Sequence, residues 1–319
     1  MVLDTVYWEI TGNCNLSCDH CYQKVRKDYP QLNLDRSLEM IDCFAENEIK
    51  ILLLTGGEPL MNSNIFEIIK KSKSYNIDTA VLTNGTLINK KSAEKLAESN
   101  PDTIQISIDG LARKHDAIRG NNVFKRIEAA IDNLREFKIT PLMKLTITAN
   151  NADDVLAVVK YCQKNELRLN TSLSMEIGNT QQNNIMISPE KYFRLFLDLY
   201  HEKKEGYGNI NLPDFAIEEY LTHGKPISAC SAAVRVAAIT IDNYFLPCPF
   251  MSGLNLKKEQ GARLFDKESF FTHNQNPLFR LMQKYNETEF GCPLRKFQYG
   301  GQDSYSLDAF KEYIKNETL

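Results

Sequence analysis

No apolar run in the 319 residues approaches the ~20 needed to cross a membrane, and no N-terminal signal-like segment precedes the first strand-like stretch. Both lead to the expectation of a cytoplasmic chain with no membrane partner. There is no long basic block either: Lys+Arg 38 against Asp+Glu 41 leaves a net charge of −3. That balance argues against nucleic acid as an obligatory partner. Repeats of solenoid type are missing. With 43% hydrophobic residues, the chain can bury one large core and an appendage. Eight cysteines in a reducing compartment then read as metal ligands or small buried residues rather than disulfides.

Three of them lie close together, in Cys14-Asn15-Leu16-Ser17-Cys18-Asp19-His20-Cys21, directly after the β-type stretch Val6–Ile10. A fourth cysteine is lacking. Three thiolates in eight residues suit three corners of a [4Fe–4S] cube and leave one iron open, where four cysteines would close it. Zinc with His20 as fourth ligand is an alternative, strained by the adjacency of His20 and Cys21.

From Val6 to about Met175, short β-branched runs alternate with amphipathic helical segments. The expected strands are Val6–Ile10, Ile51–Leu54, Thr79–Leu82, Thr103–Ile108, Leu142–Thr148 and Leu167–Met175. Helices are expected over Leu34–Asn47, Ile65–Tyr75, Lys90–Glu98, Val123–Phe137 and Asp153–Lys164, with Asn64 and Asp153 as capping residues. The alternation implies a parallel sheet with right-handed crossovers. Six units are too few for a closed eightfold barrel, so the fold class is α/β, a partial (β/α)6 TIM-type barrel with its ligand site at the C-terminal strand ends. After it, Asn179–Asn184 reads as a surface loop or a substrate-contacting segment, and a helix is expected from Pro189 to Glu202. Two strands, Ala233–Ile241 and Tyr244–Leu246, flank a tight turn at Asp242-Asn243. The expected division is 1–175, a connecting segment 176–229, and a small α+β extension 230–319.

The strand ends carry Thr55-Gly56-Gly57-Glu58-Pro59, Thr83-Asn84-Gly85 and Ser107-Ile108-Asp109-Gly110. The glycines permit close backbone approach to a ligand, Glu58 offers an acceptor to a ligand amine, and the polar side chains suit ribose or carboxylate. Each is also ordinary turn chemistry. Taken in order, with His115-Asp116-Ala117-Ile118-Arg119-Gly120 behind them, these motifs resemble the radical S-adenosylmethionine (SAM) superfamily. The resemblance implies a first [4Fe–4S] cluster on Cys14, Cys18 and Cys21, with SAM on its open iron. It also implies Glu58 on the methionyl amine, Gly56, Gly57 and Asn84 in the cofactor wall, Ser107 and Asp109 toward sugar or carboxylate, Arg119 nearby and His20 near the adenine. Reductive cleavage of SAM to a 5′-deoxyadenosyl radical would then abstract a substrate hydrogen.

Cys230, Cys248 and Cys292 form a second group, whereas Cys43 and Cys162, alone in helices, read as buried apolar residues. This half resembles the auxiliary-cluster extensions called SPASM and twitch domains. Asn243 replaces a frequent glycine, and in the run Cys292–Gln302 the residues Gln298 and Gln302 stand where a full SPASM pattern has cysteines. A single twitch-like [4Fe–4S] cluster on three cysteines fits; three structural cysteines without metal are the other reading. The implied activity is an oxidoreductase acting in peptide maturation by oxidation or crosslinking, with a flavodoxin- or ferredoxin-type electron donor. Alcohol oxidation on a small molecule, or cofactor or nucleotide biosynthesis, are the alternatives. Because Cys14 comes so early, no separate N-terminal peptide-recognition domain is expected.

Overall fold

In a computed structural model of the chain, residues 3–23, 31–226, 230–254, 256, 263–288, 292, 294–295 and 303–317 are described. The six expected strands form: β1 (Thr5–Thr11), β2 (Ile51–Gly56), β3 (Asp78–Thr83), β4 (Thr103–Ser107), β5 (Leu142–Ile147) and β6 (Arg168–Leu173). They pair in parallel and in chain order. Helices fill the crossovers: α1 (Leu34–Glu46), α2 (Ile65–Ser74), α3 (Lys90–Ser99), α4 (Ala112–Arg119), α5 (Val123–Glu136) and α6 (Val155–Lys164). The result is an open, mostly parallel α/β sheet, the partial barrel expected from the alternation.

The sheet does not stop at the expected boundaries of the first segment. A short strand β7 (Ile210–Asn211) adds in parallel to β6, and β8 (Val236–Ile239) adds in parallel to β1. The hairpin partner β9 (Tyr244–Leu246) and then β10 (Arg263–Leu264) continue antiparallel, giving ten strands in one sheet among the described residues. Asn243 takes φ 64 in the hairpin turn, the left-handed conformation that asparagine tolerates. The parts expected as connector and extension therefore grow from the two edges of the same sheet. The segment Lys296–Gln302, with Gln298, Gln302 and the Gly-Gly pair, lies outside the described residues.

Strand alternation decides where the site can be. On β4 and β5 the residues Ile104, Ile106, Met143, Leu145 and Ile147 are buried on the outer face that the helices cover. Each contributes about 1.5–3 kcal/mol through burial. The alternating partners, among them Gln105, Ser107, Lys144 and Thr146, face inward and line a cavity. A closed parallel barrel fills its interior with branched apolar residues; the polar inner face here leaves room for a ligand.

The helix starts differ in detail from the expectation. Asn64 makes no side-chain cap on α2, and its side chain donates instead to the Leu32 carbonyl. Asn62 Oδ1 accepts from the Asn64 amide at 2.8 Å and organises that turn. Asp153 lies within a 3-10 turn, Ala152–Asp154, that precedes α6. Helix α4 was not expected, because its eight residues carry little apolar periodicity. Among the described residues no helix is long and apolar enough to cross a membrane.

Candidate active site

A cavity of about 790 Å³ opens at the C-terminal strand ends and runs into the barrel interior. Cys14, Cys18 and Cys21, on the loop after β1, all face it. That loop is held from several sides. The Gly57 amide donates to the Thr11 carbonyl at 2.8 Å and the Glu58 amide to the Asn13 carbonyl at 2.7 Å. A Cβ on Gly57 would meet Asn13 O at 2.2 Å and Cys14 Cβ at 3.0 Å, so only glycine lets β2 close on the thiol loop this tightly. The polar run expected as a loop is a short helix, α7 (Asn179–Gln182). Asn179 Nδ2 donates to the Cys18 carbonyl, Thr180 Oγ1 to the His20 carbonyl and Asn183 Nδ2 to the Asp19 carbonyl, at 2.8, 3.1 and 2.8 Å. This bracing role was hidden in the sequence, where an Asn/Gln run signals only polarity.

His20, Gly56, Gly57, Asn84, Ser107 and Arg119 join the thiols in the cavity wall. Glu58 and Asp109 stand behind it. Glu58 is fully buried, and its carboxylate accepts from Thr83 Oγ1 at 2.6 Å, the Asn84 amide at 2.8 Å and the Leu60 amide at 3.1 Å. Burial pushes its pKa up, against these donors. Its visible work is to join the ends of β2 and β3, and Asn84 passes the connection to the thiol loop through Asn15 at 2.9 Å.

Asp109 is likewise fully buried. It pairs with Arg119 Nε, accepts from the Thr146 amide at 3.0 Å, and gives its own amide to His115 Nδ1 at 3.0 Å. Burial pushes its carboxyl upward, but Arg119, then His20 and His115, outweigh that and hold it at about 2. The other side of Arg119 reaches Cys18 Sγ at 3.7 Å and His20 Nε2 at 3.4 Å. Burial pushes Cys18 up to about 11, with Arg119 as the main opposing influence. Metal ligation deprotonates a thiol outright, and a fixed guanidinium beside the sulfur favours the resulting charge.

The donor set fits a cluster. Three thiols share one wall and each other's electrostatic field, one has a built cation, and His20 Nδ1 is buried without a partner. Among the described residues no three His, Cys, Asp or Glu side chains gather tightly enough to hold a single metal ion.

The second thiol set lies outside this cavity. Burial raises Cys248 well above its usual value, with Cys292 and Cys230 next among the causes, so the three are neighbours. An Arg–Asp pair stands here too: Arg295 Nη1 is 3.6 Å from Asp303 Oδ2, which accepts from the Cys292 amide at 3.2 Å. Tyr7 links the regions. It lines the cavity, and its phenol is pushed up to about 12 by burial and then by Cys248 and Cys230. Arg295, Asp303 and Tyr7 belong to no motif, and only packing brings them to the thiols.

The Radical SAM superfamily profile matches residues 8–162. With three thiols on the loop after β1 and an open parallel barrel around them, residues 8–162 are a radical SAM domain. The AdoMet-dependent heme synthase of Nitratidesulfovibrio vulgaris is 31% identical over 163 residues, 50% of this chain and 44% of that protein. The sporulation killing factor maturation protein SkfB of Bacillus subtilis is 26% identical over 243 residues, covering 75% and 58%. The chain thus spans about half the length of these two relatives. In fold it is similar to Streptococcus suis SuiB, solved with its precursor peptide SuiA, at TM-score 0.73 and 18% identity over 88% of this chain and 66% of that one.

Proposed function

We propose that this radical SAM enzyme oxidises or crosslinks a peptide. The observation that carries the reading is the cavity into which the three thiols and residues of all six barrel strands converge. SkfB, a maturation protein by name, aligns over 75% of this chain, and SuiB, solved with a precursor peptide, shares the fold over 88% of it. When bound, the cluster and SAM supply the one-electron chemistry that removes a substrate hydrogen atom. Cys14, Cys18 and Cys21 would hold the cluster, with Arg119 offsetting the thiolate charge. Gly56, Gly57, Asn84, Ser107 and His20 would wall the cofactor, while Glu58 and Asp109 hold that wall in place. Cys230, Cys248 and Cys292 would carry an auxiliary [4Fe–4S] cluster that takes up the electron left on the substrate. A flavodoxin- or ferredoxin-type protein would supply the priming electron.

The heme synthase relatives favour a second reading, cofactor biosynthesis on a small molecule. Two steps separate the readings. Anaerobically reconstituted protein with SAM and dithionite should form 5′-deoxyadenosine, and Cys18→Ala should abolish it. Incubation with candidate precursor peptides should then give a product lighter by a hydrogen pair. Unchanged peptides beside vigorous SAM cleavage would move the assignment to small molecules.

A further inference from the structure

Lys144 sits in the middle of β5 and belongs to none of the motifs. In the sheet register it lies directly beside Ser107 of β4 on one side and Asn170 of β6 on the other. Alternation sends all three inward, and all three line the cavity. A hydroxyl, an ammonium and a carboxamide thus stand in one row across three neighbouring strands. Among the described residues the ammonium has no hydrogen bond or ion pair; the one charge that acts on it is Asp109, which Arg119 already occupies. Burial lowers its pKa to about 8, which leaves it cationic at neutral pH.

An unpaired ammonium in such a place is costly, even where it is half-buried against a cavity. Aliphatic residues would serve a purely structural β5 better, as Met143, Leu145 and Ile147 do on the other face. We propose that Lys144, with Asn170 beside it, anchors a carboxylate of the substrate inside the barrel. Charge-assisted hydrogen bonds from an ammonium, completed by a carboxamide N–H, match the few lone pairs of a carboxylate. A phosphate asks for more donors, typically free backbone N–H groups, and the strand interior has these committed to the sheet. The methionyl carboxylate of SAM is a poorer match. With SAM on the open iron expected above, that carboxylate would lie beside the thiols, where Arg119 is the cation at Cys18, and no thiol is among the groups acting on Lys144. The inference rests on the peptide reading above and narrows it: the modified segment presents an Asp or Glu side chain, or a C-terminal carboxylate, to Lys144.

The test uses reconstituted full-length protein with SAM bound. Its probes are N-acetylglutamate α-amide and the neutral isostere N-acetylglutamine α-amide, with binding read by saturation-transfer NMR. The wild type should prefer the glutamate probe by about tenfold or more. Lys144→Met, which keeps the side-chain length, should erase the preference, and Lys144→Arg should retain it. The affinity for SAM and the rate of substrate-free SAM cleavage should stay within about twofold in both variants. Equal or absent binding of the two probes, or a preference that survives Lys144→Met, would overturn the proposal. A weakening of SAM binding by about tenfold in Lys144→Met would overturn it by assigning Lys144 to the cofactor's carboxylate. Unchanged precursor peptides beside vigorous SAM cleavage, with the glutamate preference retained, would instead overturn the peptide reading alone, so the two failures are distinguishable.

Discussion

His115 shows how a residue can matter to the site without reaching the cavity. Its Nδ1 accepts the Asp109 amide, Nε2 is buried without a partner, and the ring packs edge-on to Phe124 at 5.9 Å. Only a neutral imidazole can accept that amide. Burial lowers its pKa from 6.5 to about 4, with Arg119 acting in the same direction. Above pH 6.5 the ring is neutral in both folded and unfolded chains. As pH falls from there toward 4, the unfolded chain takes up a proton that the folded one refuses, so stability is lost across that window. The slope approaches about 1.4 kcal/mol per pH unit and the sum about 3 kcal/mol. His115→Asn keeps an acceptor for the Asp109 amide and removes the titration. Urea unfolding of the metal-free chain should therefore show a flatter loss of stability between pH 7 and about 4 in the variant than in the wild type. Parallel curves would mean that the ring already titrates freely in the folded state.

Between elements, what positions the thiols is backbone packed on backbone. Gly57 closes on Asn13, while Gly178 and Gly253 leave room for the Tyr22 carbonyl, where a Cβ would lie 2.8 and 2.1 Å from it. The thiol loop is thus clasped by β2, by the segment after β6 and by the segment after Cys248. Gly57→Ala should push the Asn13 carbonyl and Cys14 aside, lowering iron by about four per chain while the helical circular dichroism is kept. Iron content equal to wild type would show slack in the loop. The six strands and the order of the motifs were legible in the sequence because alternation and glycine-bearing turns are local signals. The bracing by Glu58 was not: the sequence offers its carboxylate as an acceptor to a ligand amine and carries no sign that it also accepts from Thr83, Asn84 and Leu60. Lys144 was equally hidden, because a lysine in a strand declares itself only when the inward face turns out to be a cavity wall. Contacts made between residues far apart in sequence leave no local trace, and the bracing by Asn179 and Asn183 is of that kind.

Across the whole molecule, each of the two thiol sets has a buried arginine held by an aspartate: Arg119 with Asp109, and Arg295 with Asp303. Guanidinium groups lower the cost of gathering negative sulfur in a low-dielectric interior. At Cys292 the guanidinium of Arg295 faces the thiol together with the carboxylates of Asp303 and Asp214, so it is a cation already in place for a thiolate there. Two cavity-lining phenols lie between the sets: Tyr7, which feels Cys248 and Cys230, and Tyr22, which feels both Cys21 and Cys248. If a second cluster forms on Cys230, Cys248 and Cys292, these two phenols stand between it and the cavity in which a substrate radical would arise. Iron and acid-labile sulfide after anaerobic reconstitution decide whether that cluster exists. About eight irons per chain in the wild type, falling to about four in Cys230→Ala with 5′-deoxyadenosine formation preserved, would establish it and make net substrate oxidation the chemistry to seek. About four in both would leave Arg295 and Asp303 as a structural pair. The electron would then have to return to the first site, and redox-neutral hydrogen abstraction would become the account to test.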